Sequence, residues 1–175
     1  MTLRKGFIIS IFIAAQCFAA GKLSAQGMRD TIGSFNKNVI QCYEQTEKVY
    51  QGIAKAKLST RPCSKIILSS TKSREAEANA RHNRGIIYQY LDQQARAIKD
   101  FERAIKLDSS SVASYIALAQ LHLKQENWVL AYKYFDAASL LDKSDKRLVA
   151  NKQYAANKLQ QAESNKNLTA NVLLK

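Results

Sequence analysis

The chain has 175 residues, 46% of them hydrophobic, with one proline and six glycines. That suits one modest domain built mainly of helices, and it leaves few residues for tight turns. The formal net charge of +13 would suit nucleic acid, but the N-terminal segment points to export, where nucleic acid is scarce, so that partner class is set aside.

Residues 1–25 carry that segment. Arg4 and Lys5 make a short basic start, Phe7 to Ala20 is an uncharged apolar run of 14 residues, and Ser24-Ala25 precede Gln26. Basic, apolar and small segments in this order are those of a secretory signal peptide, with cleavage expected near Ala25. The run is short of the ~20 residues a spanning helix needs, although an uncleaved anchor is the alternative. Cleavage removes Arg4, Lys5 and Lys22 and no acid, taking the charge from +13 to +10. A positive field of that size matches acidic protein surfaces, anionic lipid or cell-wall polymer, or else serves only solubility.

Residues 26–77 read as a degenerate helical hairpin. Ile32, Phe35, Val39, Tyr43 and Tyr50 share one face of a helix over 30–50, residues 51–61 connect, and 62–71 form the second helix. Cys42 and Cys63 are the two cysteines left after cleavage, and an even count in an oxidising compartment favours a disulfide over two buried thiols. A loop of about 20 residues would gain roughly 3 kcal/mol by bridging. One straight helix from 30 to 57 would forbid it, since Cys42 would lie some 22 Å from the turn and the Cα atoms must approach within about 7 Å. The bridge therefore requires the helix to end before Gly52 or the segment to double back.

Residues 78–111 and 112–145 are two copies of one unit. Offset by 34 residues, Gly85 falls on Ala119, Ala97 on Ala131, Phe101 on Phe135, Ala104 on Ala138, Leu107 on Leu141 and Asp108 on Asp142. Each copy divides into two stretches whose apolar residues recur every three or four positions, the mark of a helix with one buried face. Asp108-Ser109-Ser110-Ser111, between the copies, is rich in capping side chains. Small residues such as Gly85 and Ala97 let paired helices approach, and Phe101 fills the space between hairpins. Residues 146–162 form a closing helix with Leu148, Ala155, Leu159 and Ala162 inward and Lys146, Arg147, Lys152 and Lys158 outward. A polar outer face suits the end of a stack. Residues 163–175 read as a flexible tail.

The run Asn83-Arg84-Gly85-x-x-Tyr88, followed by Ala97, Phe101, Ala104 and Leu107-Asp108, resembles the tetratricopeptide repeat. Leu118-Ala119, Ala131, Phe135 and Ala138 match in the second copy, and Cys63, Ile67 and Ser70 repeat the small-large-small spacing upstream. Arg81 departs from the pattern in place of a large aromatic, and His122 in place of the tyrosine seen as Tyr88. The resemblance implies an all-α solenoid of stacked antiparallel hairpins. Cys42-Tyr43-Glu44, Cys63 and Asn83-Arg84-Gly85 together look like a group of exported bacterial repeat proteins, which implies a periplasmic or secreted location.

The same resemblance implies a concave face lined by the first helices, where a peptide or helix of another protein would bind. Carried over residue by residue, that face comprises Asn79, His82, Asn83, Ile86, Gln89 and Tyr90 from the first copy. Ile116, Gln120, Leu123 and Lys124 come from the second, and Arg147, Asn151 and Tyr154 from the closing helix. A clamp for terminal carboxylates is not expected, because its places hold His82, Ile86, Ala117, Arg147 and Asn151, and neither Ile86 nor Ala117 can donate a hydrogen bond.

Nothing in the sequence points to catalysis, a cofactor or a metal. The two histidines and two cysteines form no compact ligand pair, His122 reads as a core residue, and no phosphate loop or nucleophile elbow is present. The acids read as scattered singly on exposed faces. A thiol enzyme built on Cys63 and His82 would be disarmed by the expected disulfide. The reading is therefore an exported adaptor that binds protein. The alternative is an envelope-associated structural protein held to an anionic surface.

Overall fold

The computed structural model describes residues 37–70 and 72–173. Among these residues the architecture is all-helical, a series of antiparallel hairpins stacked in chain order. The expected signal segment and residues Ile32 and Phe35 lie outside the described residues.

Helix α1 spans Lys37–Tyr50 and α2 spans Arg61–Leu68, with a 3₁₀ turn over Lys55–Lys57 between them. Gly52 stops α1: its φ of +70° is left-handed, which costs glycine little. The Ile53 N–H returns to the Lys48 carbonyl at 3.0 Å, and the chain doubles back. Pro62 enters α2 in its first turn, where a missing N–H costs nothing. The helix thus ends before Gly52, as bridging requires, and Cys42 and Cys63 form a disulfide with Cα atoms 4.7 Å apart.

The buried face of α1 is rotated from the one expected. Cys42, Gln45 and Thr46 are buried, whereas Tyr50 is 63% exposed. The bridge turns Cys42 inward, and the Gln45 side-chain oxygen accepts the Ser59 N–H at 2.9 Å, so polar residues occupy a face that apolarity alone would not select. Ser70 falls beyond the end of α2. The two cysteines, Ile66, Ile67, Ala80 and Ile87 form one core cluster, which joins this hairpin to the next helix.

Helices α3 (Arg74–Tyr90) and α4 (Gln94–Leu107) form the second hairpin, and α5 (Val112–Lys124) and α6 (Trp128–Leu141) the third. The Ser73 hydroxyl caps α3 by accepting the Ala76 N–H at 3.0 Å. The 34-residue periodicity extends to backbone detail. Positive φ recurs at Asp92 and Glu126, and both Asp108 and Asp142 accept the N–H two residues on at 3.0 Å. These side chains close the same turn after each copy.

Phe101 and Phe135 are fully buried, each within its own cluster. Phe101 lies with Ala97, Ala117, Leu118 and Leu121, and Phe135 with Ala119, Ala131, Ala138, Leu148 and Ala155. Gly85 makes room for Phe101, so small-residue spacing in the sequence becomes close helix approach in the fold.

Helix α7 runs over Lys146–Leu173, through residues 163–173 that composition assigns to a tail. No glycine or proline interrupts this segment, so nothing local stops the helix. Leu148 and Ala155 are buried and Leu159 is half-buried, whereas Ala162 is exposed. The packed face therefore ends about one turn earlier than the apolar spacing suggests.

Candidate binding face

The first helices α3, α5 and α7 lie side by side, and the expected face divides into residues that hold these helices together and residues that remain open. His82 belongs to the first group. Its Nδ1 lies 3.0 Å from the Ser114 hydroxyl and its ring packs at 5.5 Å on Phe101. Ser114 is buried and lies 2.9 Å from the Ser111 hydroxyl. Burial lowers the His82 pKa to about 4, because a low-dielectric site disfavours imidazolium. Ile86 packs against the cluster of Ala97, Phe101, Ala117, Leu118 and Leu121. Ile116 and Leu123 pack in the cluster of Leu148 and Ala155.

The second group stays accessible. Asn79, Gln120 and Lys124 are exposed, and Asn83, Gln89, Tyr90 and Asn151 are half-buried. Tyr154 is 51% exposed, with the Lys158 ammonium 5.8 Å from its ring centre. Arg147 is exposed and bonded to Asp145 at 2.7 and 3.0 Å. Lys55 was not anticipated. It reaches from the 3₁₀ turn to lie 5.9 Å from the Tyr90 ring centre and pairs with exposed Asp92. That surface ion pair orients the side chain while adding little stability. The open face thus offers amides, two tyrosines and cations, and its expected positions include no carboxylate.

Behind this face lies an ion network that sequence reading missed. Asp100 is buried, which corrects the expectation that the acids stand on exposed faces. The Arg84 guanidinium donates to both its oxygens at 2.7 and 2.8 Å, and Arg81 donates at 3.4 Å. Arg84 also donates to the Ser64 hydroxyl at 2.9 Å, which joins α2 to α3. The hydrogen bonds to Asp100 raise the Arg84 pKa despite partial burial. The available signal was Arg81 standing where the repeat pattern has an aromatic, because a cation facing a helix pair needs a counter-ion.

His122 is buried and stacked on Tyr134 at 5.5 Å, which fits its reading as a core residue. Among the described residues no group of three or more His, Cys, Asp or Glu is placed to hold a metal ion. No described helix is long and apolar enough to cross a membrane.

Residues 78–111 match the tetratricopeptide repeat. The chain carries this repeat over α3 and α4, and tetratricopeptide repeats are generally protein–protein interaction modules. No curated protein matches the chain.

Proposed function

We propose that the chain is an exported adaptor that binds a segment of another protein across the open face of α3, α5 and α7. The observation that carries this is the row of accessible amide, aromatic and cationic side chains on successive first helices: Asn79, Tyr90, Gln120, Lys124, Asn151 and Tyr154. Amides can bond to both the N–H and the carbonyl of a bound backbone, while tyrosines bury area at low entropic cost. Helices about 10 Å apart give a face about 20–30 Å wide, which an extended chain crosses in roughly six to nine residues.

Binding without catalysis is the better fit to these residues. Cys63, the thiol a nucleophilic mechanism would need, is held in the disulfide, and His82 is held neutral against Ser114. Export is supported by the basic, apolar and small order of residues 1–25 and by a disulfide of the kind that persists in oxidising compartments. Intact-mass measurement on protein from the producing cell tests export, since a chain retaining residues 1–25 refutes cleavage near Ala25.

The face itself is tested by cross-linked pull-down from intact cells, comparing wild type with a variant carrying Asn79→Glu, Gln120→Glu and Tyr154→Glu. All three side chains are exposed, so the variant should fold as wild type does by circular dichroism. A partner recovered by wild type and lost with the variant supports the reading. Equal recovery by both refutes it.

A further inference from the structure

Positive charge is concentrated on the second helices, α2, α4 and α6, which back the first helices. The 34-residue offset that superposes Cys63, Ala97 and Ala131 also superposes Lys65, Lys99 and Lys133. All three lysines are exposed. On α4, Arg96, Lys99, Arg103 and Lys106 follow at steps of three, four and three, which sets them on one face of the helix, and each is exposed. Arg61 is exposed one turn before Lys65. None of these seven cations is bonded to a carboxylate among the described residues.

The acids of the same helices are mostly engaged elsewhere. Asp100 is held by Arg84 at 2.7 Å and Asp136 by Lys152 at 3.2 Å. Glu77 of α3, near Arg103, is held by Arg81 at 2.8 Å. Glu102 is left as the exposed carboxylate of α2, α4 and α6. Apolar side chains stand among the cations. Leu68, three residues after Lys65, is 82% exposed, and Val129, four residues before Lys133, is 57% exposed. Each therefore shares the face of its lysine. Tyr132, next to Lys133, is exposed as well.

We propose that this outer layer docks on a bilayer surface bearing anionic lipid, with the open face of α3, α5 and α7 turned away from the membrane and accessible to protein. Charge complementarity points to an anionic occupant, and a cluster of four to eight Lys or Arg is of the size that anionic headgroups hold. The apolar residues select lipid. An exposed leucine or valine one turn from a lysine gains nothing from a hydrated polyanion. At a bilayer it enters the headgroup boundary while long lysine and arginine stems leave their charges among the phosphates. An acidic protein would offer carboxylates at a few fixed places, whereas cations spread over three helices match a continuous negative surface. The attachment is superficial, because no described helix is long and apolar enough to cross a membrane.

The test is co-sedimentation of the full chain, as recovered from the producing cell, with phosphatidylcholine vesicles containing or lacking about 30% phosphatidylglycerol at ~0.15 M salt. Each cation held at an anionic surface is worth roughly fivefold in partition, so Lys65→Gln/Lys99→Gln/Lys133→Gln should lower binding to the anionic vesicles about 100-fold. Lys55→Gln/Lys57→Gln/Lys124→Gln removes the same charge from exposed residues of the 3₁₀ turn and α5. That variant should change binding by less than about fivefold. Leu68→Ser/Val129→Ser should weaken vesicle binding at least about fivefold and leave binding to poly-glutamate unchanged. All eight positions are exposed, so each variant should keep the wild-type circular dichroism. Wild type that ignores anionic vesicles, or binds phosphatidylcholine alone equally well, overturns the proposal without any variant. Equal losses in the two lysine variants reduce the effect to net charge and overturn it. Vesicle binding indifferent to Leu68→Ser/Val129→Ser makes the occupant a polyanion instead of a bilayer, and overturns it too.

Discussion

A methyl group added at Gly85 would lie 2.6, 2.8 and 2.9 Å from three ring carbons of Phe101. Real Cβ contacts are longer, and Phe101 is fully buried, so its ring has no open space into which to withdraw. Two effects oppose each other in Gly85→Ala. Replacing glycine within a helix gains about 0.5–1 kcal/mol, whereas forcing a methylene-sized group into a filled core costs about 1–3 kcal/mol. With the nearest contact at 2.6 Å the steric term should win, leaving a net loss of about 1–2 kcal/mol. Urea unfolding followed by far-UV circular dichroism would show this as a lowered midpoint at unchanged slope. Phe101→Leu removes part of the ring. In combination with Gly85→Ala it should cost at least about 1 kcal/mol less than the two single changes together. In the second copy Ala119 takes the corresponding place beside Phe135, so there Ala119→Gly should lose stability by about 1 kcal/mol. If Gly85→Ala instead raises stability by the propensity gain, the close approach of α3 and α4 is not what Gly85 serves.

Three further outcomes follow from the same structure. Reducing the Cys42–Cys63 bridge, whose cysteines are 21 residues apart, should cost about 3 kcal/mol; a urea midpoint indifferent to reductant would contradict this. Asp100→Ala should cost about 3 kcal/mol by leaving the Arg84 guanidinium without its buried counter-ion, Arg81 keeping its pair with Glu77 at 2.8 Å, seen as a lowered melting temperature; a change within 0.5 kcal/mol, roughly, would show the pair to be solvated. His82 titrates at about 4 in the folded chain against 6.5 ordinarily, so the unfolded chain takes up its proton first. Its stability contribution is full above pH 6.5, is lost as pH falls from 6.5 toward 4, and reaches about 3 kcal/mol. His122 is shifted in the same direction by its burial. His82→Gln should flatten the unfolding free energy across that window, and a variant keeping the full wild-type slope would refute the assignment to His82.

Periodicity carried most of the fold because hairpin stacking is local. A helix of period 3.6 needs apolar residues every three or four positions, and a 34-residue repeat needs its small and large residues in register. Both requirements are written along the chain in Gly85, Ala97, Phe101 and their counterparts. The candidate face was legible only as positions. Which of those side chains remain free depends on the neighbouring hairpin: Ser114 engages His82 from α5, and Ile86 packs against a cluster to which α4 and α5 both contribute. Lys55 reached Tyr90 and Asp92 from 35 or more residues away, a distance no local pattern spans.

By itself the sequence determined the helical class, the two repeated units and the small residues where helices cross. These follow from backbone preference and spacing within a few turns. Only the tertiary structure decided that α1 stops at Gly52, which face of α1 is inward, that Asp100 is buried between Arg84 and Arg81, that His82 is a tie between hairpins, and where the packed face of α7 ends. Each of these depends on a charge, a hydroxyl or an apolar surface brought close from elsewhere in the chain, and burial and pairing belong to the neighbour as much as to the residue.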